Sequence, residues 1–349
     1  MLLLKLVLHH FRNQESGVFD LSPTLTVFLG ENAKGKTNLL ESIYFLINGV
    51  GFRESREEEL VMLGENEAVV EGRFVEGDNQ HDYKIHLQKK EGTVEKIYFI
   101  QRAKKKHALY IADQTKAILF APEQIEIING SPDLRRDYFN KLISYYDQEY
   151  KKKLINLENA LRRRNKIFEH IKDDIQLKEE LTFWNDYIVT QSNYITKKRQ
   201  EYVDYLNKHK KLDHKSFSIS YFKNEATLAR FNEYFSQEKR WRRTLIGPQK
   251  DDFQLFLEGG TEKNVHHYGS RSEQRLAIFW LKMNEITYYE DIFHKSPILL
   301  LDDVFSEFDK ANKQMIGDLI KKYQTVLTTT EDEVISQINI PKKIIRVLG

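Results

Sequence analysis

One stretch decides the fold of this chain: Gly30-Glu31-Asn32-Ala33-Lys34-Gly35-Lys36-Thr37, followed by Asn38. It has the G-x-x-x-x-G-K-T pattern of a phosphate-binding P-loop. Residues 25–29 before it are apolar and β-branched, which predicts a buried strand. Residues 38–46 after it carry apolar side chains at helical spacing. Strand, glycine loop and helix in this order are the context that the motif requires.

Each residue type in this loop has a chemical role. The two glycines let the backbone curl so that N–H groups point at phosphate oxygens, and the helix that follows adds a favourable dipole. Lys36 is predicted to neutralise the β- and γ-phosphates, and Thr37 to ligate Mg²⁺. We therefore predict that residues 30–38 bind ATP and Mg²⁺, with Lys36 also serving catalysis.

A second half of the site is predicted far downstream, in Pro297-Ile298-Leu299-Leu300-Leu301-Asp302-Asp303. An apolar run that ends in an acid fits a buried central strand. Asp302 is predicted to hold the magnesium ion, and Asp303 to orient the attacking water as a base. The alternative is a buried strand with two solvated acids, which the P-loop in the same chain makes the weaker interpretation.

Composition limits the class of protein. A chain of 349 residues suggests two domains. The net charge of +2 is nearly neutral, so any basic surface must be local. The absence of cysteine excludes disulfides and zinc–thiolate sites and fits a reducing cytoplasm. No signal peptide or membrane-spanning run is recognisable, so no membrane association is expected.

The pattern of residues divides the chain into three segments. Residues 1–120 and 245–349 alternate strands and helices, and we assign them to one α/β ATPase lobe. Residues 121–244 form an inserted helical lobe, in which apolar residues three and four positions apart predict a long antiparallel helix pair with a turn at 172–176. A hairpin turn is predicted at Gly259-Gly260.

A third motif precedes the acidic strand and reads Tyr268-Gly269-Ser270-Arg271-Ser272-Glu273-Gln274-Arg275. It resembles the signature motif of ABC-type ATPases, in which one protomer's signature covers the γ-phosphate on its partner's P-loop. The resemblance implies a nucleotide-binding and catalytic role in trans for Ser270. Asp309 resembles the dimer-contacting loop of that class. The alternative is that Ser272 merely caps a helix.

The chain as a whole resembles the RecF family, bacterial recombination mediators related to SMC-type ATPases. The matching blocks follow family order over nearly the whole chain. They are Phe11-Arg12-Asn13, residues 30–41, Phe120-Ala121-Pro122-Glu123, Gly130-Ser131-Pro132, Arg135-Arg136, Arg164-Asn165, Gly247-Pro248, Asp251-Asp252, the signature segment, and residues 300–307. This implies an ABC/SMC-like P-loop ATPase head with an inserted helical lobe, and adds Arg12 to the nucleotide-binding residues.

Three positions depart from the family pattern. Ser272 stands where the signature carries glycine, Gln249-Lys250 replaces His-Arg, and Ala33 replaces a glycine of the P-loop. A β-carbon at position 272 obstructs close approach of a partner's phosphate. These departures are compatible with ATP binding, and they leave the rate of hydrolysis open.

The resemblance implies a weak, DNA-stimulated ATPase of recombinational repair and replication-fork maintenance. ATP would close a head-to-tail homodimer into a clamp on duplex DNA near single-strand gaps, which then recruits RecR, with RecO, to load recombinase. Lys104, Lys105 and Lys106, and less strongly Arg162 and Arg163, are predicted to contact DNA phosphates. For both segments the alternative is an ordinary solvated loop or helix face.

Two other functions remain open. One is an ATP-gated DNA-binding scaffold with negligible hydrolysis, which Ser272 motivates; phosphate release with gapped DNA discriminates it from an ATPase. The other is a different SMC-like ATPase, such as one with an appended nuclease domain, although only about 45 residues follow the acidic strand.

Overall fold

The computed structural model of the chain describes residues 1–53, 56–112, 115–259, 262–307 and 310–347. The strands are β1 (Leu2–Phe11), β2 (Gln14–Asp20), β3 (Leu25–Leu29), β4 (Glu67–Glu76), β5 (Asn79–Lys90), β6 (Thr93–Ile100), β7 (Ala103–Lys105), β8 (Ala117–Phe120), β9 (Lys211–Leu212), β10 (Lys215–Phe222), β11 (Asp252–Glu258), β12 (Lys263–Asn264), β13 (Ile298–Asp302), β14 (Thr325–Thr329) and β15 (Lys342–Arg346). The helices are α1 (Lys36–Asn48), α2 (His107–Ala112), α3 (Glu126–Asn129), α4 (Pro132–Tyr146), α5 (Gln148–His170), α6 (Asp174–Lys208), α7 (Leu228–Trp241), α8 (Val265–Tyr268), α9 (Arg271–Phe293), α10 (Lys310–Lys322) and α11 (Asp332–Gln337).

The chain forms two compact units. The first contains Met1–Glu123 and Lys282–Gly349, and the second contains Gln124–Leu281. The first unit is therefore assembled from both ends of the chain, and the second is an insertion between them.

A parallel sheet in the first unit positions the predicted nucleotide site. Its strand order is β15-β3-β14-β13-β8. All residues of β3, β13 and β14 are buried, as expected for parallel strands covered on both faces. The predicted strands before the P-loop and before Asp302 are thereby confirmed. They are separated by β14, which pairs with both.

The helix after the P-loop, α1, joins the two sheets of the first unit. The second of these sheets is antiparallel, with the order β2-β1-β4-β5-β6-β7. One hydrophobic core contains Leu40 and Phe45 of α1, Leu6 of β1, and Phe28 and Leu300 of the parallel sheet. Because α1 is buried on most of its surface, its position and that of the loop before it are fixed by the core.

The second unit contains the predicted antiparallel helix pair, α5 and α6. Asp147 at the start of α5 accepts a hydrogen bond from Tyr194 near the middle of α6, whereas Phe168 at the end of α5 packs on Leu177 at the start of α6. The turn between them lies at residues 171–173, earlier than the predicted 172–176. The reason is that the Asp173 carboxylate accepts two backbone N–H bonds and starts α6 at the next residue.

The structural boundaries differ from those predicted from the pattern. The first, between Glu123 and Gln124, is close to the predicted position 121. The second lies after Leu281 and not at 245, because β11 pairs with β10 along its whole length and so belongs to the second unit. The signature segment is consequently part of the second unit. The strands flanking the predicted hairpin turn, β11 and β12, pair antiparallel, although Gly260 itself lies outside the described residues.

None of the helices within the described residues has the length and apolar character needed to cross a lipid bilayer.

Candidate functional site

The carboxyl ends of β3, β14 and β13 lie side by side at one edge of the parallel sheet. The P-loop follows β3, threonines end β14, and Asp302 and Asp303 end β13. This edge is where open α/β sheets bind their ligands. The sheet therefore brings together the two halves of the site that are 265 residues apart in the sequence.

The P-loop curls through two left-handed residues. Ala33 has φ = 63° and Gly35 has φ = 91°. A left-handed alanine costs roughly 1–2 kcal/mol, which explains why a glycine suits position 33 better. The Lys36 ammonium donates hydrogen bonds to the carbonyl oxygens of Gly30 (2.8 Å) and Glu31 (2.7 Å). Burial lowers the pKa of Lys36, and the nearby carboxylates of Asp303 and Asp302 oppose that shift.

Asp302 is the centre of a buried hydrogen-bond group. Its Oδ1 accepts one hydrogen bond from Thr37 Oγ1 (3.1 Å) and one from Thr328 Oγ1 (2.6 Å). Burial raises the pKa of Asp302, because desolvation disfavours the charged carboxylate, whereas the two hydroxyl donors favour it. Thr328 was not predicted from the sequence; the available signal was a second buried strand that ends in threonines beside the acidic strand.

The donor set at this edge suits Mg²⁺. Thr37 Oγ1 and the Asp302 carboxylate are hard oxygen ligands at hydrogen-bonding distance from each other. Among the described residues there is no cluster of three or more histidine or acidic side chains that forms a complete metal cage. Magnesium characteristically uses one or two protein oxygens and completes its shell with waters and substrate phosphates, so two protein ligands beside a P-loop fit this ion.

Asp303 adopts a left-handed backbone conformation, with φ = 47°. Its N–H donates to Thr328 Oγ1 (3.0 Å). The same threonine hydroxyl thus bridges the side chain of Asp302 and the backbone of Asp303. The turn directs the chain away from β13 immediately after the buried Asp302, and Asp303 remains partly exposed at the sheet edge.

A cleft of about 930 Å³ opens beside Asn38, the residue that follows the P-loop. Arg12 and Arg53 line it. The side chain of Asn38 is held on both sides, since its amide nitrogen donates to Asn13 Oδ1 (2.7 Å) and its oxygen accepts from the Arg53 guanidinium. The structure thus places the predicted Arg12 in the same unit and next to the P-loop, and adds Asn13 and Arg53, which sequence reasoning did not assign to the site.

Ser270 is the residue that caps the signature helix α9. Its Oγ accepts the N–H of Glu273 (3.2 Å), while the Glu273 carboxylate accepts the N–H of Ser270 (2.7 Å). This reciprocal pair is a capping box. The alternative interpretation, in which Ser272 provides the cap, is therefore wrong, because Ser270 does so. Lys263 donates to Glu273 (2.7 Å) and is the main reason that the pKa of this carboxyl is lowered to about 2.

The five residues predicted to contact DNA are all exposed. Lys104 and Lys105 lie on the edge strand β7, and Lys106 directly follows it; all three are exposed. Arg162 is exposed on α5, whereas the Arg163 guanidinium lies 5.7 Å from the centre of the Trp184 ring. Asp309 lies outside the described residues.

Comparison with known proteins establishes the family. The model of the RecF/RecN/SMC N terminal domain matches residues 2–348. The DNA replication and repair protein RecF of Ligilactobacillus salivarius is 31% identical, over 98% of this chain and 95% of its own length. This chain belongs to the RecF family. The RecF of Lactococcus lactis is similarly related, at 32% identity over 93% of this chain and 91% of that protein.

Solved structures agree with the RecF assignment. The recombination mediator protein RecF-ATPrS of the RecFOR pathway superposes with a TM-score of 0.85 at 26% identity, covering 99% of this chain and 98% of that one. RecF-ATP of the same pathway gives 0.81 at 25% identity, with coverages of 97% and 94%. The Smc head domain of Pyrococcus furiosus gives 0.53 at 18% identity and shares the fold. The predicted fold class, an SMC-type ATPase head with a helical lobe, is confirmed.

Several blocks that identify RecF are structural residues of the second unit. Arg135 binds the carboxylate of Asp252 through two hydrogen bonds of 2.7 and 3.2 Å. The buried Arg199 donates to the equally buried Asp251 (2.6 Å). Arg164, also buried, pairs with Glu238 (2.6 Å). Each interaction joins a helix to the start of β11, to the residue before it, or to α7. These blocks therefore stabilise the packing of the helical unit.

Proposed function

We propose that this RecF-family chain is an ATP-dependent DNA-binding clamp of recombinational repair and replication-fork maintenance. The observation that carries the proposal is the contact of P-loop Thr37 with Asp302 at the end of β13 (3.1 Å). That contact assembles the two halves of a nucleotide-hydrolysing site. The related RecF-ATP and RecF-ATPrS structures, at 25–26% identity, support ATP as the nucleotide.

We propose the following binding roles, which the positions of these residues at the sheet edge support. Backbone N–H groups of residues 30–38 and the Lys36 ammonium bind the phosphates. Thr37 and Asp302 would hold Mg²⁺, and the ion would supply charge neutralisation to the bound phosphates. Asp303 accepts a hydrogen bond from the attacking water and orients it. The partly exposed position of Asp303 beside the buried Asp302 supports this division of roles.

We further propose that hydrolysis is weak and requires a second copy of the chain. Ser270 and the N-terminus of α9 would face the γ-phosphate held by the partner protomer, and Asp309 would contact the partner. Ser270 Oγ accepts one hydrogen bond within its capping box, and a hydroxyl in that role keeps its own proton to donate to a phosphate oxygen. The positive end of the α9 dipole adds to this attraction.

The DNA-binding role rests on the exposed lysines at positions 104–106, with Arg162 and Arg163 as weaker contributors. In the closed homodimer these surfaces would approach the phosphates of double-stranded DNA, at junctions with single-stranded gaps. RecR and RecO are the partners we propose for recombinase loading, in the cytoplasm. The name of the curated relatives, DNA replication and repair protein, supports the DNA-associated function.

A second candidate function is an ATP-gated scaffold with negligible hydrolysis. The observation in its favour is that Ser272 lies exposed in the first turn of α9. Its side chain would contact a partner's nucleotide that approaches the signature segment. Phosphate release measured with gapped DNA decides between the two functions, since the scaffold predicts none above the level of Lys36→Met.

Mixing two inactive variants tests the proposed function. Ser270→Arg destroys the signature and Lys36→Met destroys the P-loop, so a heterodimer of the two keeps one intact composite site. We expect phosphate release from the mixture and none from either variant alone. No release from the mixture, while the wild type is active, contradicts a site shared between protomers.

A further inference from the structure

The buried carboxylate of Glu41, beside the P-loop, accepts hydrogen bonds from two arginines and two backbone N–H groups. Glu41 lies on α1, four residues after Thr37, and its side chain is fully buried. Its two oxygens accept five hydrogen bonds: from Arg12 Nε (2.9 Å) and Nη2 (3.1 Å), from Arg53 Nη2 (3.2 Å), and from the backbone N–H groups of Phe52 (3.2 Å) and Arg53 (3.1 Å). One buried acid thus fixes two arginines from separate segments of the chain.

Arg12 reaches Glu41 from the turn between β1 and β2. Its backbone is left-handed, with φ = 55°, and its N–H donates to the carbonyl of Leu60 (2.9 Å). The third side-chain nitrogen, Nη1, donates to the carbonyl of Glu59 (3.0 Å). The guanidinium is therefore held along both of its edges, and its orientation is set by Glu41 and by the segment at 59–60.

Arg53 bridges two residues of the P-loop helix α1, Glu41 and Asn38. Its Nη2 donates both to Glu41 and to the side-chain oxygen of Asn38. Because Asn38 directly follows Thr37, its side chain lies where a nucleotide leaves the phosphate-binding loop. Arg12, Arg53 and Asn38 all line the cleft beside the loop. The arrangement places two positive charges on the cleft wall with one buried negative charge behind them.

The charges explain why the carboxylate is needed. The guanidinium groups of Arg12 and Arg53 both contact the Glu41 carboxylate and repel each other. The negative charge of Glu41 compensates this repulsion. The cleft lining carries four positive side chains, Arg12, Arg53, Arg56 and Lys89, and two acidic ones, Glu58 and Glu59, of which Glu59 pairs with Arg12 (3.7 Å). With the buried Glu41 behind them, a surplus of one positive charge remains at the cleft. A polyphosphate next to the cleft is attracted by that surplus, and the multiple hydrogen bonds keep the arginines in place before the nucleotide arrives.

We propose that Glu41 is a positioning residue for ATP, which holds Arg12 and Arg53 against the part of the nucleotide that leaves the P-loop. This rests on the proposed ATP binding. Glu41 does not touch the nucleotide itself. Its contacts are on the cleft side of α1, whereas the hydrolytic group of Asp302, Asp303 and Thr328 is held by separate hydrogen bonds. Glu41 therefore acts on nucleotide affinity and not on the chemical step.

The first test is Glu41→Gln, which keeps the shape of the side chain but removes its charge and one acceptor oxygen. We expect the dissociation constant of Mg·ATP, measured by calorimetry, and the KM for ATP to rise about tenfold or more. The kcat at saturating ATP should change less than about threefold. Glu57→Gln is the matched control: it removes an exposed carboxylate that pairs with Lys96, and we expect wild-type affinity from it.

A second set of variants keeps the inference testable if Glu41→Gln alone is too unstable to purify. We compare the double variant Arg12→Gln/Arg53→Gln with the triple variant that also carries Glu41→Gln. The triple variant leaves no unpaired buried charge at this site. If Glu41 acts through the arginines, adding Glu41→Gln to the double variant leaves the ATP dissociation constant unchanged. A further rise there, or a loss of kcat with unchanged KM in Glu41→Gln, overturns the inference. Absence of ATP binding in the wild type overturns the proposed function instead.

Discussion

Thr328→Val probes the hydrogen-bond group around Asp302 with little change in side-chain shape. The Thr328 hydroxyl donates to Asp302 Oδ1 (2.6 Å) and accepts the N–H of Asp303 (3.0 Å). Both contacts are lost in the variant, although the N–H of Asp303 keeps a longer bond to the Thr328 carbonyl (3.3 Å). A hydrogen bond to a charged group contributes about 1.5–3 kcal/mol, so we expect a loss of about 2 kcal/mol in the free energy of unfolding.

The loss should depend on pH. The Thr328 hydroxyl favours the charged form of Asp302, so its removal raises the pKa of this carboxyl above the value that burial already imposes. At pH below that pKa, Asp302 is protonated in the native protein and the variant loses little. At higher pH the native carboxylate is charged and, in the variant, keeps only the donor Thr37 and lacks Thr328. The destabilisation therefore grows as pH rises through the pKa of Asp302 and then stays constant.

Chemical unfolding of the full chain across an acid-to-neutral pH series measures this effect. Thr325→Val is the matched control, since Thr325 is also buried in β14 but donates to the carbonyl of Tyr323 (3.0 Å) and to no acid. Thr325→Val should lower the free energy of unfolding by about 1 kcal/mol at every pH. The Mg²⁺ concentration needed for ATP binding should rise about tenfold in Thr328→Val only. Equal, pH-independent losses in both variants refute the assigned role of Thr328.

Four other variants test single parts of the nucleotide site and of the proposed DNA surface. Lys36→Met should abolish ATP binding without lowering the midpoint of thermal unfolding. The reason is that methionine, an apolar side chain of similar length, replaces a buried lysine whose pKa is lowered by desolvation. Wild-type ATP affinity in this variant would contradict the P-loop assignment. Asp303→Asn should keep ATP binding and trap the closed dimer on DNA, because asparagine tolerates the left-handed backbone at this position; unchanged phosphate release would mean that Asp303 is structural. Changing Lys104, Lys105 and Lys106 together to alanine should reduce DNA affinity and lower the slope of log affinity against log salt by about one unit per lost phosphate contact. Arg162→Ala/Arg163→Ala should do so less, and an unchanged slope in the triple-lysine variant would place the DNA surface elsewhere.

The sheet edge that carries the P-loop and Asp302 was predictable because each of its two sequence signals lies within one short segment. A glycine-rich loop between a strand and a helix, and an apolar strand ending in acids, are each complete within about ten residues. Their meeting at Thr37 and Asp302 follows from the rule that parallel strands end at the same edge. Thr328 was not predicted, because a threonine at the end of a strand indicates no function until the neighbouring strand is known.

The parts that could not be predicted depend on long-range contacts. Glu41 reads in sequence as a polar residue in an amphipathic helix, and only the fold shows that it is buried beneath two arginines. The boundary predicted at 245 rests on the pattern of strands that resumes there, whereas the second compact unit extends to Leu281 and contains the pairing of β11 with β10. Arg162, Arg163 and Arg164 look alike in sequence, yet only Arg164 is buried against Glu238.

Sizing the protein by light scattering, with and without Mg·ATP and a gapped DNA duplex, tests the clamp most directly. We predict a dimer on DNA only when ATP is present, with Asp303→Asn retaining it and Lys36→Met remaining monomeric under the same conditions. A monomer in all conditions, or a dimer that forms equally well without nucleotide or in Lys36→Met, would contradict the account of an ATP-closed clamp.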